Sequence, residues 1–166
     1  MSGRINVENV HYILNGERYD NIDCSELTRK KVVSVRALGS REEVFEHMTV
    51  GENLMLPSLE KISFWDYIRS SRNIRKMILE ENHNLKDVKA EGLGINERIQ
   101  MTLERWYIFN PMVLILFEPF ALCDVNGVDI VKKYVKKFSN NGATVIIVST
   151  REEYIEDISD QIIHIG

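Results

Sequence analysis

The chain lacks paired cysteines, any long apolar run, and a surplus of charge that would direct it to a polyanion. Cys24 and Cys123 stand far apart, with no paired spacing that would suggest a zinc site or a redox dithiol; both are expected as reduced thiols. The histidines His11, His47, His83 and His164 show no metal-ligand spacing, and no metal site is expected. The longest apolar stretch, 112–117, falls far short of the roughly 20 residues that a spanning helix needs. The amino terminus carries no signal-type apolar region, which points to a cytoplasmic address. A net charge of −4 offers no general attraction to a phosphate backbone. Arg29, Lys30 and Lys31, and likewise Arg69, Arg72, Arg75 and Lys76, read first as solvated faces, so nucleic acid is not an expected partner. No Ser-His-Asp, Cys-His or metal-ligand constellation supports an enzyme built on those chemistries.

What is present is ordinary globular material. Apolar residues make up 44% and charged residues 28% of 166 residues, enough to bury roughly two thirds of the unfolded surface. Ile5, Val7 and Val10 precede Asn15-Gly16, a turn signal, and suggest an early β-hairpin. A charged approach at 27–31 leads to Val32-Val33-Ser34-Val35, which reads as a buried strand. Thr49, with Glu52 three residues on, is a capping box for a short helix that Pro57 ends. Over 64–79 the apolar residues Phe64, Tyr67, Ile68, Ile74, Met77 and Ile78 predict an amphipathic helical region.

A second periodic stretch places Ile99, Leu103, Trp106 and Tyr107 on one helix face, with Asn96 as N-cap and Asn110-Pro111 as the end. An apolar strand at 113–117 follows. After Asn126-Gly127, Val128, Val131, Tyr134, Val135 and Phe138 repeat at helical spacing up to Asn140-Asn141-Gly142. A strand at 144–149, a short helix around Tyr154, Ile155 and Ile158, and a final apolar piece at 161–165 complete the chain. Strands alternating with helices predict a parallel sheet covered by helices.

Residues 113–120 read VLILFEPF, an apolar strand followed by Glu118-Pro119. This resembles the Walker B strand of ATP-binding-cassette (ABC) ATPases, with Phe117 where the family has an aspartate. The order of segments is similar to the second cassette of sugar-import ATPases over nearly the whole chain. Ser2-Gly3-Arg4-Ile5 with Asn15-Gly16 resembles the family's "SGEI…G", MTVGENL at 48–54 resembles its "MSVKEN", and Ser159-Asp160-Gln161-Ile162-Ile163 resembles its "SDRIIV" strand. The resemblance implies an α/β, P-loop NTPase-like fold: a mostly parallel sheet flanked by helices, one degenerate domain over 1–166, with a small helical subdomain at roughly 60–110. The phosphate loop, G-x-x-x-x-G-K-[ST], occurs nowhere in these residues; its strand and loop are expected to lie before Met1.

The family's functional residues are altered at several positions. The Gln-type loop falls around Ala37. In place of the signature Leu-Ser-Gly-Gly-Gln stand Leu93, Gly94, Ile95, Asn96 and Glu97, and Ile95 sits where a phosphate needs close backbone approach. Phe117 offers no lone pair to a magnesium shell. Glu118, at the family's catalytic-base position, is then vestigial: a strand-end carboxylate in local hydrogen bonds. Asp124 resembles the D-loop, and Thr150 stands at the switch position. No cofactor is expected, with ATP and magnesium implied only for a chain that belongs to a longer ATPase.

A Phe117–Phe120 pair is expected to fill space that nucleotide would occupy. The absent phosphate-loop strand, by resemblance, lies between those at 144–149 and 161–165, leaving edges for the 5–10 segment, a second copy or a partner protein to cover. Implied partners are therefore a second copy or a transporter subunit, with membrane contact only through the latter. Two readings stay open: a non-hydrolysing interaction or regulatory homologue linked to sugar import, and a C-terminal fragment of a hydrolysing subunit.

Overall fold

The computed structural model describes residues 12–14, 16–19, 24–36, 38–58 and 89–165. The expected hairpin is there in its carboxyl-terminal part: β1 (Tyr12–Leu14) pairs antiparallel with β2 (Glu17–Tyr19). Gly16, at φ +81°, supplies the left-handed backbone the turn requires. Ile5, Val7 and Val10 lie outside the described residues. The charged approach to the first valine strand proves helical at its start, as α1 (Cys24–Arg29), with Glu26 in its first turn and Arg29 in its last, each opposite in sign to the helix end it occupies.

Three parallel strands form the central sheet in the order β3 (Val32–Arg36), β4 (Val113–Phe117), β5 (Thr144–Val148). Their register aligns Val33 with Leu114 and Val145, and Arg36 with Phe117 and Val148. Because side chains alternate along a strand, Val33, Val35, Leu114 and Leu116 share one face. They merge there with Ile99, Leu103 and Phe109 and with Val128, Val131, Tyr134, Val135 and Phe138 in one buried cluster. The first group belongs to α3 (Ile95–Phe109), the second to α4 (Val125–Asn140). Apart from Val32, buried at the start of β3, the opposite face is half-buried or exposed among the described residues, with Ile146 at 45% and Val148 at 43% exposure. The all-apolar 113–117 run is therefore fully buried on one side only.

A short helix, α2 (Val50–Met55), begins as its sequence dictates. The Thr49 Oγ1 accepts the Glu52 N–H at 3.2 Å, and the Glu52 carboxylate accepts the Thr49 N–H at 2.8 Å. Pro57 lies in the 3-10 turn that follows (Leu56–Ser58). Val44, Val50 and Leu54 pack with Ala90, Leu93 and Met101 in a smaller core. Beneath it, Asn53 is fully buried: its amide nitrogen donates to the carbonyls of Phe45 and Thr49, and its Oδ1 accepts from Phe45 N–H and Arg105.

Several expectations need correction. Asn96 is not the cap of α3; Gly94 is, and its N–H is held by the Glu97 carboxylate at 2.8 Å. Asn126-Gly127 lies within the first turn of α4 rather than before it, because Asp124 caps that helix through the Gly127 N–H at 2.7 Å. Around Tyr154 the chain makes one 3-10 turn (Glu152–Tyr154). The expected strand at 161–165 has no regular structure, with Ile163 74% and Ile165 91% exposed; a strand exists by pairing, and no described strand runs beside it. The helical region at 64–79 lies outside the described residues, so of the 60–110 subdomain α3 is the helix that can be described.

Candidate functional site

The carboxyl ends of parallel strands gather side chains from successive crossovers at one rim, and here that rim carries Arg36, Phe117, Glu118, Ser149 and Thr150. Glu118 follows β4 directly, in a left-handed conformation at φ +45°, and its N–H donates to the Val148 carbonyl at 2.8 Å. Its carboxylate turns to the end of β5: one oxygen accepts the Thr150 N–H at 2.8 Å, the other the Ser149 hydroxyl at 3.4 Å. Ser149 Oγ in turn accepts the Arg151 N–H at 3.1 Å. Phe117 is half-buried on the open face of the sheet, with the Arg36 guanidinium 5.7 Å from its ring centre. Phe120 points the other way, fully buried, its ring 5.3 Å from that of Tyr154. The expected Phe117–Phe120 filling is thus corrected: strand alternation and the turn at Glu118 send the two rings to different places.

A second group lies where α3 and α4 begin. The Asp124 carboxylate accepts the Gly127 N–H and, at 3.1 Å, the Asn96 amide. These two bonds, the backbone one first, hold the Asp124 pKa below the usual carboxylate value. A β-carbon at Gly127 would come within 2.9 Å of Asn96 Oδ1, so glycine leaves room for the Asn96 amide beside Asp124. Leu93 is buried, whereas Ile95 and Glu97 are exposed. No cluster of three or more His, Cys, Asp or Glu that could hold a metal occurs among the described residues.

No protein-family model matches the chain. In sequence it is 29% identical over 121 residues to the ribose import ATP-binding protein RbsA of Geobacillus kaustophilus, covering 69% of this chain and 24% of that protein. It is 24% identical over 156 residues to the xylose import ATP-binding protein XylG of Escherichia coli, covering 90% of this chain and 30% of that one. In structure it matches a nucleotide-free ATP-binding cassette from an ABC transporter with a TM-score of 0.68 at 19% identity, over 89% of this chain and 62% of that one. A dimeric cassette in a post-hydrolysis state bound to ADP and phosphate gives 0.62 at 18% identity, over 87% and 64%. The chain has the fold of an ATP-binding cassette. It spans about a quarter to a third of the length of these sugar-import relatives.

Within this fold, the positions read from the sequence fall into two groups. Glu118 and Thr150 meet through a hydrogen bond, with Phe117 alongside. The signature-like Asn96 meets the D-loop-like Asp124 within one chain. Sequence reasoning passed over Ser149, whose hydroxyl connects Glu118 to Arg151, and over Arg105, whose buried guanidinium ties α3 to the 43–53 segment. A lone serine carries no signal in a sequence. Arginine in the middle of an otherwise apolar helix face does, since it is buried only with partners.

Proposed function

We propose that this cassette homologue does not hydrolyse ATP and acts as an interaction or regulatory partner linked to sugar import. The observation that carries the reading is the state of Glu118: the carboxylate at the catalytic-base position is engaged by Thr150 and Ser149, beside a phenyl ring rather than a second carboxylate. The described residues at this rim do not fit a magnesium triphosphate. Phe117 cannot ligate a metal, and Ile95 puts a branched side chain where a phosphate needs bare backbone. On this reading no cofactor is held, Glu118 is vestigial, and Leu93, Gly94, Ile95, Asn96, Glu97, Asp124 and Thr150 serve structure or contact.

The partner is a second copy or a transporter subunit, reached through the 48–54 and 64–79 segments. The domain sits on the cytoplasmic side, with contact to the membrane through that partner alone. Phosphate release and nucleotide titration test this: no turnover and no affinity tighter than millimolar are expected. Magnesium-dependent turnover that disappears in Glu118→Gln would overturn it.

A second reading is favoured by the small share of each relative that the chain covers, 24% and 30%: it is the C-terminal part of an ATP-hydrolysing sugar-import subunit. An in-frame G-x-x-x-x-G-K-[ST] segment in the DNA immediately upstream would decide for it.

A further inference from the structure

The two ends of α4 each carry an Asn-Gly pair, Asn126-Gly127 at its start and Asn141-Gly142 at its close. In such a pair the glycine nitrogen has no side chain beside it to block an approach, and it is placed to attack the amide carbon of the preceding asparagine. The chemistry available to the two pairs is the same, but their surroundings are not.

At the start of the helix the nitrogen is shut in. Gly127 is buried, its N–H donates to the Asp124 carboxylate at 2.7 Å, and a β-carbon there would meet Asn96 Oδ1 at 2.9 Å and Cys123 at 3.1 Å. Attack requires this nitrogen to give up its proton, and a carboxylate at bonding distance opposes the anion that results. That full charge outweighs the partial positive charge of the helix end.

At the close of the helix the nitrogen is open. Asn141 and Gly142 are both exposed, Gly142 is left-handed at φ +87°, and a β-carbon on it would meet nothing within 4 Å. Its N–H donates to a neutral acceptor, the Ser139 carbonyl, at 2.9 Å. Helix ends open locally far more readily than interiors. Opening this one releases the Gly142 nitrogen and lets Asn141 leave ψ 8°, where its side-chain carbon and that nitrogen are turned away from each other.

Asn141 also has a structural partner. Its amide donates to Asn110 Oδ1 at 2.9 Å. Asn110 is the left-handed cap of α3, at φ +56°, and its carbonyl accepts from the Lys31 ammonium at 3.2 Å. The two asparagines therefore clasp the carboxyl ends of α3 and α4 together.

We propose that Asn141 is a site of spontaneous deamidation and that the reaction undoes this clasp. The Gly142 nitrogen bonds to Asn141 Cγ, the Cγ–Nδ2 bond breaks, and ammonia leaves with the proton that the nitrogen gives up. Water then opens the cyclic imide at one or the other carbonyl, leaving aspartate or isoaspartate. The product carboxylate replaces the donor of the clasp with an acceptor facing Asn110 Oδ1, at a helix end that is itself partially negative. The reaction needs neither nucleotide nor partner, so it stands independently of the function proposed above.

The test incubates the 166-residue chain in heavy-oxygen water at mildly alkaline pH, folded and in guanidinium chloride, and reads the label taken up at residues 126 and 141 by peptide mass spectrometry. Unfolded, the two pairs should react at similar rates. Folded, Asn141 should react faster than Asn126 by at least about tenfold, the factor that a side-chain cap is worth. Asn110→Ala should speed the reaction at Asn141 several-fold and leave Asn126 unchanged, a selective effect that general unfolding cannot mimic. No label at Asn141 in the folded chain, equal rates at the two sites in the folded chain, or a rate at Asn141 that Asn110→Ala leaves unchanged would overturn the assignment.

Discussion

Arg105→Leu should release the segment that α3 holds and lower stability by about 2–4 kcal/mol. Arg105 is 4% exposed, and its guanidinium makes three bonds: to the Asn53 carbonyl at 2.8 Å, the Glu43 carbonyl at 2.8 Å and Asn53 Oδ1 at 2.9 Å. Burial opposes its charge and lowers its pKa, against the raising influence of Glu43. Leucine removes that charge together with the donors, so no unpaired cation stays behind. What remains is acceptors without this partner. Asn53 Oδ1 keeps the Phe45 N–H at 3.0 Å, whereas the carbonyls of Asn53 and Glu43 each lose a donor, at about 1–3 kcal/mol for a buried group left unsatisfied. Against a typical total of about 5–15 kcal/mol this is a large share. Urea unfolding followed by tryptophan fluorescence measures it, with Arg105→Lys as companion: the charge stays but the planar fork is lost, and a substantial part of the same loss is expected. A change below about 1 kcal/mol for leucine would mean that the 43–53 segment does not depend on Arg105.

Thr49→Ala should cost about 1 kcal/mol through loss of the reciprocal cap at α2, read from the same unfolding curves. Glu118→Ala should speed hydrogen exchange of the Thr150 amide several-fold while amides in the middle of β4 stay unchanged; an unchanged Thr150 rate would deny that the carboxylate holds it. Because the Asp124 pKa is depressed in the folded chain, its contribution is complete above the ordinary carboxylate value and is lost as pH falls through the lower folded value. Asp124→Asn should therefore flatten the acid limb of stability against pH. Burial, then the Asp124 charge, push the Cys123 thiol up to about 11, so in a Cys24→Ser background alkylation at pH 8 should be slow by roughly two orders of magnitude against a free thiol. Fast labelling would refute that burial.

Much of the sheet and of the helices was legible, because it rests on local rules. The capping box at Thr49, the strand at 113–117 and the helix bearing Val131, Tyr134, Val135 and Phe138 follow from spacing and cap chemistry alone. What escaped depends on distant partners. Asn96 looked like a cap in isolation, but its amide is directed at Asp124, a residue on another helix. The 161–165 segment looked like a strand because it is apolar, yet pairing is a property of neighbours. Phe117 looked like filling for a pocket, whereas the face it occupies was fixed by β4 alternation and the left-handed step after it.

That step has a consequence for Glu118. Side chains with a β-carbon resist a positive φ, a penalty on the order of 1 kcal/mol that glycine escapes. An acid stationed there holds the position only if its bonds across to the tip of β5 outweigh the backbone penalty. Putting glycine at 118 would therefore relax the main chain and disconnect the two strand tips at once, and the balance between those effects measures how much the carboxylate is worth to the molecule without any reference to nucleotide.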